Sequence, residues 1–371
     1  MPETTDRHVS VVATGAFLPG DPLDNDALAR LVGPLPDELL AATGVRRRHW
    51  LVDPVSGEHR TGTARMATAA ARQALDRAGM AAGEPDLIVV STASPDDPLP
   101  VTGTYVQEAL GLERCAVIEI RAGCVGAVQA LDTARRLLAD GTHRTALVIG
   151  AESISPLLTP LYLGRDPRTV RLRDRLTVHT FGDGAAAVVL RAGDEGSAAG
   201  RPRPVFATRC LGGARAPGMR IARDGTEMPP AGRRSPERPV GIRLDLPGTA
   251  AFGPRVFVTG LRDVLEHAGL SVADIDVCVV PEGDAAYFSD AFEAAGLSAA
   301  EHALLRTSLV ENLADVGATG SPAVLLALDA GWVSGRVRPG DTVVLLAVEA
   351  SRYLYAGLTL TWDAPAPVPG R

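Results

Sequence analysis

Cys124 stands in Arg121-Ala-Gly-Cys-Val-Gly-Ala, where an apolar strand pattern gives way to an Ala/Leu-rich helical one. A strand-to-helix turn among small neighbours exposes the side chain and sets it at the positive end of a helix, which favours a thiolate nucleophile. The alternative is a small core residue, the reading given to Cys115 and Cys278 on their strand patterns. The four cysteines, with Cys210, show no CxxC spacing, which argues against structural zinc and a disulfide scaffold. All 37 basic side chains are arginine, so Schiff-base and pyridoxal-phosphate chemistry are excluded. No metal or cofactor is called for.

The elements that must position Cys124 read as strands alternating with helices: Leu87–Ser91, a helix after Pro100, a strand over 115–120, a helix over 124–139, a strand over 145–151. That order predicts an α/β protein with a buried, largely parallel sheet. The pattern then repeats. Leu75-Asp-Arg-Ala-Gly-Met, followed by Asp86-Leu-Ile-Val-Val, returns 190 residues later as Leu265-Glu-His-Ala-Gly-Leu, followed by Asp276-Val-Cys-Val-Val. Thr145-Ala-Leu-Val-Ile-Gly-Ala-Glu returns as Thr342-Val-Val-Leu-Leu-Ala-Val-Glu. Two similar halves, 1–192 and 193–371, are expected to pack about an internal pseudo-twofold axis. Residues 193–204 read as a crossing loop, 215–239 as a solvated excursion or lid, and 363–371 as a fraying tail. The stretch 158–175, with Arg165, Arg168, Arg171, Arg173 and Arg175, reads as a charged insertion.

A formal charge of −7 and the lack of a basic tail argue against nucleic acid as a partner. The first residues are polar, without an apolar h-region, and no run of 18 apolar residues occurs, so no membrane association is expected. The expectation is a reduced, cytoplasmic protein.

Gly123-Cys124, Thr43-Gly-Val-Arg-Arg-Arg-His, Phe181-Gly-Asp-Gly-Ala-Ala-Ala-Val-Val-Leu and the duplicated halves together resemble β-ketoacyl-(acyl carrier protein) synthase III and its thiolase-fold relatives over residues 8–362. The resemblance implies a thiolase-like fold of two duplicated α/β halves layered α-β-α-β-α. It implies a homodimer whose seam is the strand before Cys124, and a cysteine acylated by a thioester, which falls on Cys124.

Three departures bear on the reaction. The family's catalytic histidine falls at Glu282, its asparagine at Ala318, and its late glycine segment at Ala350-Ser351-Arg352. Histidine and asparagine in those enzymes stabilise the enolate formed when malonyl decarboxylates, so decarboxylative condensation is expected to be impaired. An ionised Glu282 cannot donate to an oxyanion, but it can deprotonate an incoming nucleophile. Apolar walls would raise its pKa and suit it to that task, and the alternative is a solvated glutamate. His179 is read on a strand bordering the substrate tunnel, as a helper base or as filling. Thr180 and Phe181 beside it are expected to bind substrate. Asp183 is read as structural, its flanking glycines allowing a tight turn. Asn312 and Asp315, before the Gly317 turn, are read as turn formers.

Two further positions concern substrate choice. Leu99 falls where relatives push a residue into the partner's acyl tunnel, and leucine leaves room for a longer or cyclic acyl group. The coenzyme A adenine site is half kept: its aromatic and second arginine fall at Glu38 and Ala42, while Arg175 remains. An acyl carrier protein donor is therefore expected over acyl-CoA. The whole points to an acyltransferase of natural-product assembly, transferring groups other than amino-acyl from a carrier-protein thioester through Cys124 to a small hydroxyl or amine acceptor. The rival readings are a carbon–carbon condensing enzyme of the synthase III type and a non-catalytic partner subunit.

Overall fold

A computed structural model describes residues 7–222, 241–281 and 289–367. The first half contributes strands β1 (Val9–Phe17), β2 (Leu87–Ser91), β3 (Ala116–Ile120), β4 (Thr145–Glu152) and β5 (Gly184–Ala192). The second contributes β6 (Val205–Cys210), β7 (Val277–Val279), β8 (Leu309–Val310), β9 (Thr342–Glu349) and β10 (Leu354–Thr361). Their sheets run β1-β5-β4-β2-β3 and β6-β10-β9-β7-β8, the same order twice. In each, the fourth strand of that order, β2 or β7, pairs in parallel with both neighbours and the other two pairings are antiparallel. The sheets are thus mixed rather than largely parallel. Residues 350–353 are too few for the crossover that a parallel β10 would need, so β9 turns back as a hairpin.

Helices α1 (Thr63–Ala78), α2 (Thr102–Leu110), α3 (Gly126–Ala139), α4 (Leu172–Thr180), α5 (Leu246–Ala268) and α6 (Ala323–Val333) complete the layers. Alternation along β2 divides the core: Leu87 and Val89 join α3, α6 and the second sheet in one apolar cluster, whereas Ile88 and Val90 join α1 on the outer face. Helix α5 covers the outer face of the second sheet. The α-β-α-β-α layering follows. Nearly every residue of α6 is buried because that helix lies between two sheets, which is why its sequence is apolar on all sides.

Several expectations shift in detail. The strand before Cys124 begins at Ala116, leaving Cys115 just outside it and half-buried, while Cys278 is buried on β7. Met219–Ala222 pairs with Gly241–Leu244, and residues 223–239 of the excursion lie outside the described residues. His179 lies on α4, not on a strand. Thr177 Oγ1, His179 Nδ1 and Thr180 Oγ1 each bond the carbonyl four residues earlier, so the polar side chains reinforce the helix that β-branched residues would otherwise disfavour.

Candidate active site

Cys124 is half-buried in a single 3₁₀ turn, Gly123–Val125, that runs straight into α3. Gly123 has φ +56°, and a Cβ there would overlap a carboxylate oxygen of Glu349, so both conformation and space demand glycine. The Cys124 N–H donates to Glu349 Oε2 at 2.6 Å, while Ser351 N donates to Oε1 at 2.8 Å. One buried carboxylate therefore ties the Cys124 turn to the β9–β10 hairpin.

The other half carries the counterpart. Gly320 has φ +69°, Ser321 occupies the place of Cys124 before α6, and its backbone N–H donates to Glu152 at the end of β4. Glu152 also accepts from Ala93 N at 2.9 Å and from Ser94 Oγ. Burial, reinforced by the nearby Glu349 charge, pushes Glu152 up to about 7 despite these donors. Between the two turns, Ser321 Oγ donates to Ser91 Oγ at 2.5 Å, and a Cβ on Gly126 would overlap the same Ser91 hydroxyl. These contacts seat the 317–321 turn against the start of α3.

Ala318 joins that turn to the end of α4: its N–H donates to Thr180 O at 2.9 Å, and Gly182 N donates to Ala318 O at 3.1 Å. A Cβ at 182 would overlap Val316 O, so Gly182 serves close approach rather than a positive φ. Thr319 Oγ1, next to Ala318, is buried without a hydrogen-bond partner among the described residues. Thr180 and Phe181 thus meet the Ala318 turn, while Phe181 O accepts from Trp50 Nε1 at 3.0 Å. Asp183 accepts from the N–H groups of Leu51, Ile154 and Ser155 and from the Ser155 hydroxyl; its burial raises it to about 6.

His179 is 1% exposed. Desolvation, then the Arg48 and Arg175 charges, lowers its pKa, and Nδ1 sits 2.9 Å from Arg175 O. That arrangement places the neutral ring's proton on Nδ1 and leaves Nε2 as the acceptor. Arg48, in the Thr43–His49 motif, is itself buried, bonds His179 O, Leu23 O and Asn25 Oδ1, and is lowered to about 10 by desolvation. Asp315 forms ion pairs with Arg46 and Arg47, and Asn312 O accepts from the N–H groups of Asp315 and Val316.

Other expected site residues lie elsewhere. Arg175 reaches three backbone carbonyls, those of Val170, Pro34 and Pro167. Leu99 is 78% exposed on the loop before α2. Glu282 falls outside the described residues. Sequence reading missed Glu349, Glu152 and Ser321, although both glutamates end the repeated strand motif; a charge closing an otherwise buried strand was the available signal.

Models of 3-oxoacyl-(acyl carrier protein) synthase III match residues 118–201, and of its C-terminal part residues 265–362. A β-ketoacyl-(acyl carrier protein) synthase III of Rhizorhabdus wittichii is 34% identical over 362 residues, 97% of this chain and 99% of that protein. The chain belongs to the synthase III family. A synthase III 3 of Streptomyces coelicolor is 32% identical over 368 residues, covering 95% of this chain and 97% of that protein. Among solved structures, the synthase III of Pseudomonas aeruginosa PAO1 matches with 29% identity and a TM-score of 0.75, covering 98% of this chain and 100% of that one. AbyA1, described as a tetronic acid condensing enzyme, matches with 28% identity and a TM-score of 0.78, covering 95% and 100%. The synthase III family member described here is an enzyme with a thiolase-like fold. No helix among the described residues is long and apolar enough to cross a membrane.

Proposed function

We propose that this protein is an acyltransferase of natural-product assembly: Cys124 takes an acyl group from an acyl carrier protein thioester and passes it to a hydroxyl or amine acceptor. The observation that carries the reading is the Cys124 turn, half-buried at the start of α3 and pinned through its N–H, in a chain that has Ala318 where the resemblance places the family's asparagine. The Cys124 thiolate attacks the thioester carbonyl, and collapse of the tetrahedral intermediate expels the carrier thiol. In the second half-reaction a base takes the acceptor's proton as its oxygen or nitrogen attacks the acyl-cysteine, and Cys124 leaves as thiolate. Glu282 is the proposed base; His179, through the Nε2 that its Nδ1 contact leaves as acceptor, is the proposed helper. Thr180 and Phe181 line the substrate, and Leu99 serves the partner's acyl tunnel in a cytoplasmic homodimer.

Malonyl decarboxylation is disfavoured on this reading because Ala318 offers no side-chain donor and Glu282 offers none when ionised. Such donors supply ~3 kcal/mol each, so losing two slows the step by several powers of ten. The second reading, carbon–carbon condensation, is favoured by the description of AbyA1 as a condensing enzyme. Intact-protein mass after exposure to a set of acyl carrier proteins, then to acceptors, tests both. An acyl adduct absent from Cys124→Ala and discharged as ester or amide supports transfer. No adduct with any donor, or malonyl turnover like that of an ordinary synthase III, overturns it.

A further inference from the structure

On the face reached by following α3 away from Cys124, residues 193–204 cross from β5 to β6 and close a two-part groove. Its inner part, about 60 Å³, is an apolar cleft lined by Val9, Val11, Leu131, Leu190, Leu358 and Leu360. Its outer part, about 240 Å³, is lined by Arg7, Arg135, Arg136, Arg201 and Arg203 with His8. The two are continuous, since His8, Val9, Arg135, Arg201, Pro202 and Pro204 border both. Arg135 lies 11 residues beyond Cys124, about 16 Å along the chain's helical rise, so the groove is separate from the candidate active site.

Among the described residues the charge here is unbalanced even with Arg203 left out of the count. The guanidiniums of Arg7, Arg135, Arg136 and Arg201 face two carboxylates: Asp132, held by Arg135 and Arg136 at 2.6 Å each, and Asp363, which meets His8 at 2.8 Å and Arg201 at 3.4 Å. Arg7 Nε is buried with no hydrogen-bond partner among the described residues, although Arg7 Nη1 reaches Gly193 O at 3.2 Å. An apolar slot opening under excess positive charge matches one kind of small molecule, an alkyl chain ending in an anion.

We propose that this groove is a second ligand site, distinct from Cys124, that binds a short alkyl carboxylate with its chain between β1 and β10 and its carboxylate among Arg7, Arg136 and Arg201. The cleft accepts only a few methylenes and the wider basic mouth the remainder, which sets the length near that of octanoate. The site does not depend on what Cys124 does.

The experiment is calorimetric titration of the full chain, with Cys124 first alkylated by iodoacetamide so that an acyl chain cannot enter there. Octanoate is expected to bind once per chain, at least tenfold more tightly than either acetate or octanol, and more weakly as salt rises. Arg201→Ala and, separately, the more exposed Arg136→Ala are each expected to weaken octanoate severalfold or more at an unchanged melting temperature without ligand; Leu360→Trp, which fills the cleft, acts the same way. Arg136→Ala keeps the test decisive should another variant fold poorly. Absence of saturable octanoate binding, octanol binding as tightly as octanoate, or affinity unmoved by both arginine substitutions overturns the proposal.

Discussion

The backbone N–H of Cys124, in the first half of the fold, is held at 2.6 Å by Glu349, in the second. Ser321, the residue that corresponds to Cys124 in the second half, is held in turn by Glu152 of the first. The two halves are thus clasped reciprocally, each fixing the strand-to-helix turn of the other. Docking of the halves and placement of Cys124 become one event, because Cys124 N–H finds its acceptor only when β9 packs behind it.

Glu349→Gln tests that coupling. A carboxylate serves both Cys124 N and Ser351 N, but an amide presents one acceptor and one donor, so one N–H must face an N–H. The expected loss is ~1–3 kcal/mol in urea unfolding, together with slower acylation of Cys124 by intact mass. Unchanged stability and unchanged acylation would show that the clasp does not matter.

Glu152 gives the fold a pH dependence of definite sign. Burial raises its folded pKa to about 7 from the ordinary 4.5, so between those values the folded state holds a proton that the unfolded state has released. Stability therefore falls as pH rises through that window and levels off above about 7, for a total of ~3 kcal/mol at most. Glu152→Gln keeps the shape and removes the proton. Chemical denaturation across pH 4–8 should give a flatter curve for the variant than for the parent; parallel curves would mean that Glu152 does not titrate there. Asp183, raised to about 6, adds a dependence of the same sign to both proteins and cancels in the comparison.

The repeat made the fold legible. Paired motifs such as Thr145–Glu152 and Thr342–Glu349 fix which strands correspond, and the two sheets obey that correspondence strand for strand. Cys124 was legible because small neighbours and a change of period mark a strand-to-helix turn. The glutamates behind it were not, because a carboxylate after an apolar run reads equally well as the solvated end of a strand; only the cross-half contact shows that it is buried. The helix at His179 was hidden for a related reason. Thr177-Val-His-Thr carries the residue types of a strand, and what decides for helix is side-chain bonding to carbonyls one turn back.

Self-association should involve β3. It is the outermost strand of its sheet, all five of its residues are half-buried, and the 78% exposed Leu99 lies on the loop that follows β2. Such an edge invites pairing with a second copy. Light scattering at micromolar concentration should give about twice 38.6 kDa, and amides of residues 116–120 should exchange more slowly in the concentrated sample than in a dilute one. A monomer at that concentration would remove both the dimer and the role proposed for Leu99.

Donor choice turns on how the arginines near Arg175 are used. The Arg175 guanidinium holds Val170 O, Pro34 O and Pro167 O, which ties α4 to the chain just before Glu38 and Ala42. Removing it should therefore loosen the entrance for every donor, so Arg175→Ala is expected to slow acylation from carrier protein and from coenzyme A to a similar degree. Arg165 and Arg171 are exposed, and they are the cations an acidic carrier protein can reach. Substituting both by alanine should slow acylation from the carrier protein alone and flatten its salt dependence, leaving the coenzyme A rate in place. Carrier protein should remain the faster donor in the parent protein, because Glu38 and Ala42 supply neither an aromatic stack nor a cation for adenine, a loss of ~1–3 kcal/mol. Matched donors compared by intact mass at low and high salt would decide it. A faster coenzyme A reaction, or a carrier-protein rate indifferent to salt and to the loss of Arg165 and Arg171, would place the donor's entrance elsewhere.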